Sequence, residues 1–406
     1  MNFKKILLFI GFLAVSVGIA FGLYYMFFRA APTGVTPAGN ENINAGTGGL
    51  PTAGTGVPPT GGVNAPTALP PTNVPTVSPT ANGGLTAVTP VAAVPTVGAS
   101  LSSSGQLNYY NRADGKFYRV GTDGTVSSLS NNVFFDVSSA KFDPKGNKAI
   151  LEYPDGSNVM YDFTTNKQVT LPAHWKDFDF SPSGSQIVAK SLGTDPAARF
   201  LVTSNPDGTN AHPFQELGDN QDKVQVAWSP NNDILATATT GQQLDVDRQE
   251  VYFLGQYGQN FKSMVVEGLG FQPKWAPSGQ QMMYSVSGHA NDWKPDLWVV
   301  DAQGDNIGRN RRNLNVSTWA NKCTFADDNT MYCGVPNDLP RGAGLQPAIA
   351  DSTPDTIYKI SLTTGLQTKV AVPEGSHTVD TMMLSADKKT LYFTDKGTGV
   401  LNKIAL

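Results

Sequence analysis

Charged residues and cysteines are both scarce in this chain of 406 residues. Asp, Glu, Lys and Arg make up 15% of it, and the net charge is −4. Nucleic-acid-binding proteins normally carry a basic excess, so nucleic acid is not an expected partner. Cys323 and Cys333 are too few for a disulfide framework and lack the C-x-x-C spacing of zinc or redox sites. The sequence therefore implies no cofactor and no metal site.

One long apolar run lies near the N-terminus. Residues 6–28 carry no charge, and a helix of that length rises about 35 Å, enough to cross a hydrocarbon core of about 30 Å. A cleaved signal peptide has a shorter apolar core, and Arg29 directly follows this run. Because Lys4 and Lys5 precede it, we interpret residues 1–29 as a cytoplasmic N-terminus and a transmembrane signal anchor. The remainder is expected outside the cytoplasm, periplasmic or at the cell surface.

Residues 30–98 contain a single charge and no aromatic residue. They are a mixture of Pro, Thr, Gly, Ala and Val without helical or strand periodicity. Such a segment has little apolar surface to bury and many prolines that cannot donate hydrogen bonds. We expect a disordered linker that holds the rest of the chain away from the bilayer.

From residue 99 the chain repeats one short phrase, an apolar residue followed by small, Pro, polar and Gly residues. Its clearest copies are FDPKGN (142–147), FSPSGS (180–185), WSPNND (228–233) and WAPSGQ (275–280). Weaker copies begin at residues 101, 325 and 384. Each phrase precedes two short strand-like runs. A period of 38–59 residues built from four short strands is typical of β-propeller blades, which stack because one sheet alone cannot bury both of its faces.

These units resemble the WD-like repeats of TolB-like proteins and of the dipeptidyl-peptidase propeller. The resemblance covers residues 99–406 and implies an all-β fold, a seven-bladed β-propeller with six blades as the alternative. It implies little about function, because this fold serves binding, scaffolding and catalysis alike. No G-x-S-x-G nucleophile elbow is present, so peptidase activity is not implied. The seventh copy ends after its third strand, and residues just before 99 are candidates for the strand that closes the ring.

The long connections are predicted to share one face of the propeller. Turns between first and second strands are tight, whereas insertions fall between second and third strands, at residues 191–198, 239–249, 287–295 and 335–355. Long loops on a rigid scaffold commonly form binding sites. If residues before 99 close the ring, this loop-rich face points away from the membrane.

Several residues on that face are candidates for binding. Three His-x-x-Asp motifs occur, which pair His174 with Asp177, His289 with Asp292, and His377 with Asp380. Histidine and carboxylate side chains bind divalent metals, but His–Asp hydrogen bonds also commonly pin loops, and we favour the latter. The two further candidates are Trp293 and Arg341, both in long loops. Trp293 suits contact with a peptide or a sugar, or else caps the core of a blade.

The spacing of the two cysteines predicts a disulfide. Cys323 and Cys333 lie symmetrically about Asp328, the centre of a predicted hairpin turn. Directly opposed residues on antiparallel strands have Cβ atoms about 4.5–5.5 Å apart, close enough for a disulfide. Such a bond is expected outside the cytoplasm.

Two functions are compatible with these features. The favoured one is a membrane-tethered binding or scaffolding module for an envelope protein, a peptide or a glycan. The alternative is an enzyme that processes envelope polysaccharide or peptide at the loop-rich face. Convergence of the three His-x-x-Asp motifs favours the enzyme, and their dispersal favours the binding module.

Overall fold

The computed structural model describes residues 76–406, together with Ser16–Gly18 and Phe21, which are helical. The rest of the predicted membrane segment and linker lies outside the described residues. Among the described residues, no helix is long and apolar enough to cross a membrane. Residues 76–406 contain 28 strands and six 3₁₀ helices. The 3₁₀ helices are Pro196–Ala198, Gly218–Lys223, His289–Asn291, Gly304–Asn306, Ala320–Lys322 and Pro347–Ala350. The prediction of an all-β fold is confirmed.

The strands form antiparallel groups in chain order, numbered here 1 to 7. Group 1 contains the second half of β2 (Thr89–Leu101), β3 (Leu107–Asn111), β4 (Lys116–Val120) and β5 (Val126–Ser128). Group 2 contains β6 (Ser139–Phe142), β7 (Lys148–Glu152), β8 (Asn158–Asp162) and β9 (Lys167–Leu171). Group 3 contains β10 (Trp175–Phe180), β11 (Ile187–Leu192), β12 (Arg199–Ser204) and β13 (His212–Glu216). Group 4 contains β14 (Val224–Val226), β15 (Ala236–Ala238), β16 (Arg248–Leu254) and β17 (Met264–Glu267).

The remaining groups continue the pattern, with one addition from the N-terminal side. Group 5 contains β18 (Leu269–Trp275), β19 (Gln281–Ser287), β20 (Pro295–Asp301) and β21 (Arg312–Asn313). Group 6 contains β22 (Cys323–Asp327), β23 (Thr330–Pro336), β24 (Asp355–Ser361) and β25 (Gln367–Pro373), and β1 (Leu85–Thr86) pairs in parallel with β25. Group 7 contains β26 (Val379–Leu384), β27 (Thr390–Asp395), β28 (Val400–Ala405) and the first half of β2.

The repeated phrase is the turn between the first and second strands of each group. In FSPSGS the N–H of Gly184 donates to the carbonyl of Ser181 at 2.8 Å, and Gly184 has φ = +72°. The same turn recurs at Gly146, Gly279 and Asn232, each with positive φ. Glycine and asparagine are the residues that tolerate this left-handed backbone best, which explains their place in the phrase.

Close packing of successive turns adds a second requirement at Gly279. A Cβ there would lie 2.7 Å from the backbone nitrogen of Asn231, which belongs to the corresponding turn of group 4. The side-chain amide of Asn231 also donates to the carbonyl of Gly279 at 3.2 Å. The phrase therefore makes the turn and lets neighbouring groups approach each other.

Apolar clusters join each group to the next. Phe117 and Phe142 share the cluster between groups 1 and 2, and six further clusters join the following pairs in order. The last of these places Leu401 of group 7 beside Tyr109 of group 1. Burying both faces of each group in this way supplies the apolar contacts that a single sheet lacks.

The ring of contacts closes through β2. Its first half pairs with β28, with Thr89 opposite Lys403, and its second half pairs with β3, with Leu101 opposite Leu107. Strands thus begin at Leu85, before the boundary at residue 99 that the sequence suggested. A closing strand just before residue 99 was expected, and β2 supplies it. Its start at Thr89 and the strand β1 were concealed by the low aromatic content, because a strand that completes an existing sheet needs backbone pairing more than a large apolar side chain.

Cys323 and Cys333 are directly opposed on β22 and β23 and are joined by a disulfide. Both are fully buried between groups 5 and 6. The cross-link fastens the first two strands of group 6, whose turn FADDNT (325–330) lacks both Pro and Gly.

Candidate functional site

The four predicted insertions lie at one end of the strand groups, although the opposite end also has long connections at residues 255–263 and 302–311. All four insertions join a second strand to a third, at residues 193–198, 239–247, 288–294 and 337–354. Because each group runs antiparallel, these insertions share one end with the group-to-group connections, here called the loop-rich face. The opposite end carries the repeated turns. The loop-rich face therefore carries the candidate site.

Loops 239–247 and 288–294 are joined through Asp247 and His289. One carboxylate oxygen of Asp247, Oδ2, accepts the backbone N–H of His289 at 2.8 Å and lies 2.6 Å from Nδ1 of the same residue. The backbone N–H of His289 opposes the effect of burial and lowers the pKa of Asp247. A buried carboxylate thus holds the neighbouring loop in place.

Loops 288–294 and 337–354 are joined through their backbones. Gly342 and Gly344 donate their N–H groups to the carbonyls of Asp292 and Trp293, each at 2.8 Å. Asp292 and Trp293 have φ = +52° and +58°, a conformation that costs non-glycine residues free energy. The contact with loop 337–354 stabilises this strained segment.

Loop 337–354 covers a small cavity between groups 5, 6 and 7. The cavity has a volume of ≈ 70 Å³, room for one or two waters or a small polar group. Its lining residues come from five segments: Gln272, Trp319, Asn321, Lys322, Pro347, Ala350, Asp351, Thr378 and Lys396. Trp319 packs with Leu339, Ala343 and Ala350 and so anchors the covering loop.

An ion pair is buried beside this cavity. Nζ of Lys322 donates to both carboxylate oxygens of Asp355, at 3.1 and 2.9 Å, and the backbone N–H of Val379 donates to Oδ2 at 2.6 Å. The side chains of Lys322 and Asp355 are 5% and 0% exposed. Burial raises the pKa of Asp355, and the neighbouring Lys322 ammonium opposes the rise. The pair joins the start of group 6 to the end of its longest loop.

Two further pairs lie at this end of group 7, and the first of them connects it to loop 337–354. Lys396 lies 2.9 Å from Asp351, and Nδ1 of His377 lies 3.1 Å from Oδ2 of Asp395. Burial acts to raise the pKa of Asp395, but hydrogen bonds from Thr398 and His377 outweigh it and lower the pKa. Loops of groups 4, 5, 6 and 7 are thus connected in one series.

None of the His-x-x-Asp motifs forms the pair that its spacing suggested. His289 pairs with Asp247 and His377 with Asp395, while His174 is exposed and Asp177 lies 2.7 Å from Lys190. His289, His377 and Asp177 each take a partner from another strand or loop, so the i, i+3 spacing alone does not pair the two side chains.

The other predicted residues are also accounted for. Asp292 lies 3.8 Å from the exposed Arg341, Trp293 is half-buried, and the carbonyl of Asp380 accepts a hydrogen bond from Asn321. Of the eight binding candidates, the structure brings together Asp292, Trp293 and Arg341. Within residues 76–406, no group of three or more His, Cys, Asp or Glu residues is positioned to hold a metal ion.

Sequence reasoning missed the carboxylates and lysines that connect the loops. Asp247, Asp355 and Asp395 are far in sequence from the groups they bind, and no motif spacing marks them. One weak signal exists, because Asp355 is an acidic residue at the start of a strand whose next residues are buried.

Comparisons with known proteins identify the fold. An oligogalacturonate lyase in complex with manganese is 14% identical, over 79% of this chain and 93% of that one, with a TM-score of 0.55. An oligogalacturonate lyase from Vibrio parahaemolyticus is 12% identical, over 78% and 92%, with a TM-score of 0.54. The β-propeller domain of Cps50 (Swd1) from Myceliophteria thermophila is 12% identical, over 79% and 99%, with a TM-score of 0.51. No protein-family model and no curated protein matches the chain. With its cyclic packing of antiparallel strand groups, this protein is a β-propeller.

Proposed function

We propose that this protein is a membrane-tethered, extracytoplasmic binding or scaffolding module that uses the loop-rich face of its propeller. Residues 6–28 serve as the anchor, and residues 30–75 as the tether. The partner is an envelope protein, a peptide or a glycan. The observation that carries this proposal is the series of contacts that joins loops 239–247, 288–294 and 337–354 into one continuous surface.

The proposal includes seven blades, one for each strand group, in a TolB-like arrangement. Support comes from the apolar clusters that join every pair of neighbouring groups, including the pair of groups 7 and 1. In this arrangement β2 supplies the outer strand of the last blade and the inner strand of the first.

The test of binding is capture from envelope extracts. The full-length protein is compared with a variant in which residues 340–350 are replaced by a short Gly-Ser linker, and with a Leu366→Ser control that alters the opposite face. Loss of the same captured partner in the loop variant alone supports the proposal. Equal capture by all three proteins contradicts it. Fractionation and cysteine labelling from outside the cell test the location separately.

A second candidate function is an enzyme that acts on envelope polysaccharide or peptide. It is favoured by the cavity under loop 337–354, where Lys322, Lys396 and Asp351 place opposite charges around a small space. Incubation with purified cell-wall polysaccharide and assay of new chain ends tests it. Activity in the wild type that is lost in Lys396→Met supports the enzymatic function. Absence of any product with the wild type excludes it.

A further inference from the structure

The three connected loops form one ordered surface, here called the three-loop ridge and defined by residues 239–247, 288–294 and 337–354. The bonds of Asp247 to His289 and of Gly344 to Trp293 hold the loops together. A surface that is already fixed loses little conformational entropy when a partner binds.

Large apolar side chains are exposed on this ridge. Leu244 and Val246 are 48% and 67% exposed on its first loop, and Leu345 and Ile349 are 49% and 47% exposed on its third. Exposed apolar side chains grouped on ordered loops are typical of surfaces that bind other proteins.

The net negative charge of the ridge favours partners that carry positive charge. The ridge contains five aspartates against Lys294 and Arg341. Over the whole loop-rich face, the connections carry twelve Asp and Glu against six Lys and Arg, whereas those of the opposite face carry seven against six. The net negative charge of the propeller is therefore concentrated where the insertions lie. Such a field attracts cationic segments and repels nucleic acids and anionic membranes.

We propose that the three-loop ridge binds a segment of a partner protein in which apolar side chains alternate with Lys or Arg. This inference rests on the proposed binding function and specifies the chemistry of its partner. The apolar side chains of the segment contact Leu345 and Ile349, and its basic side chains lie near Asp245 and Asp338, both of which are exposed.

The test uses three fluorescent peptides of about twelve residues and the full-length protein in detergent. One peptide alternates Lys with Leu and Val, the second replaces every Lys by Glu, and the third replaces every Leu and Val by Ser. We expect the first to bind at least about tenfold more tightly than the others in fluorescence anisotropy, with an affinity that falls as salt is added. Equal binding of the Glu peptide would overturn the inference.

Variants assign the binding to the ridge. Leu345→Ser with Ile349→Ser, and separately Asp245→Asn with Asp338→Asn, are each expected to weaken binding at least about tenfold. The charge variant is also expected to reduce the salt dependence. Leu366→Ser is the matched control, because Leu366 is 65% exposed on the opposite face. Binding unchanged by both double variants, or tighter binding to phosphatidylserine vesicles than to the Lys peptide, would overturn the inference. If replacement of residues 340–350 abolishes envelope capture while the peptides show no charge preference, the proposed function stands and this inference fails.

Discussion

Lys322 and Asp355 form a two-point ion pair in the interior of the propeller, with Nζ 2.9 Å from the nearer carboxylate oxygen. Removing one partner of a buried pair leaves an uncompensated charge, which costs about 3–5 kcal/mol. We expect Asp355→Asn to lose about this much free energy of unfolding in urea denaturation. The double variant Lys322→Met with Asp355→Leu should lose less, because it buries no charge. A loss below about 1 kcal/mol in the single variant would show that the pair is solvated.

The hydrogen bonds between Asp247 and His289 predict that the free energy of unfolding depends on pH. Because the pKa of Asp247 is lowered, the folded chain binds fewer protons than the unfolded chain near that pKa. The Asp247 carboxylate stabilises the folded chain fully above the ordinary carboxyl pKa. This stabilisation is lost as the pH falls through the lowered pKa of Asp247. The difference in unfolding free energy between wild type and Asp247→Asn should therefore shrink between about pH 5 and about pH 3. Asp245→Asn is the control, since its side chain is exposed two residues away.

The disulfide between Cys323 and Cys333 predicts sensitivity to reductant. It closes a loop with a sequence separation of 10 residues, which corresponds to about 2–3 kcal/mol in the chain-entropy description. Urea unfolding with and without a phosphine reductant should show this difference. The Cys323→Ser, Cys333→Ser double variant should show none. A wild-type protein that is equally stable in both conditions would contradict the prediction.

The turn at Gly279 predicts that Gly279→Ala and Gly365→Ala destabilise the protein by different amounts. Gly279 and Gly365 have φ = +71° and +73°, but a Cβ at residue 365 meets nothing within 4 Å. Gly365→Ala should cost about 1–2 kcal/mol from backbone strain alone. Gly279→Ala should cost more, because its Cβ displaces the turn of group 4. If thermal unfolding shows equal losses of stability in the two variants, the neighbouring turn of group 4 moves without a cost in free energy.

Because β2 closes the ring, we expect that residues before 99 are needed for the stability of the propeller. Deletion of residues 78–95 within the full chain removes β1 and the half of β2 that pairs with β28. We expect a lower melting temperature and more aggregation, since the outer edge of β28 is then unpaired. A deletion of equal length within residues 40–57 is the control. Unchanged melting after the first deletion would exclude a closing role for β2.

Local features were predictable where the chain itself carries the constraint. The Pro, Gly and Asn of the repeated phrase specify a turn, because they set the backbone conformation without help from distant residues. The register of Cys323 with Cys333 was likewise predictable, because a hairpin relates two positions by counting from the turn. The positions of the long insertions followed from the same periodicity.

The partners of the histidines were not predictable in this way. His377 binds Asp395 across two strands, and His289 binds Asp247 from the preceding group. The first distance depends on the pairing of neighbouring strands and the second on how separate sheets pack. A closing strand just before residue 99 was expected, but the start of β2 at Thr89 and the strand β1 were not, because Thr, Ala, Pro and Val in a linker and in a closing strand look the same in sequence.

The sequence by itself determined the strand-and-turn period, the hairpin of the two cysteines and the side on which the insertions lie, since each depends on neighbouring residues. Only the tertiary structure decided which loops touch, where Lys322 finds its carboxylate and how the ring closes. Those relationships join residues far apart in the chain, and only the packing of strands and strand groups brings them within bonding distance.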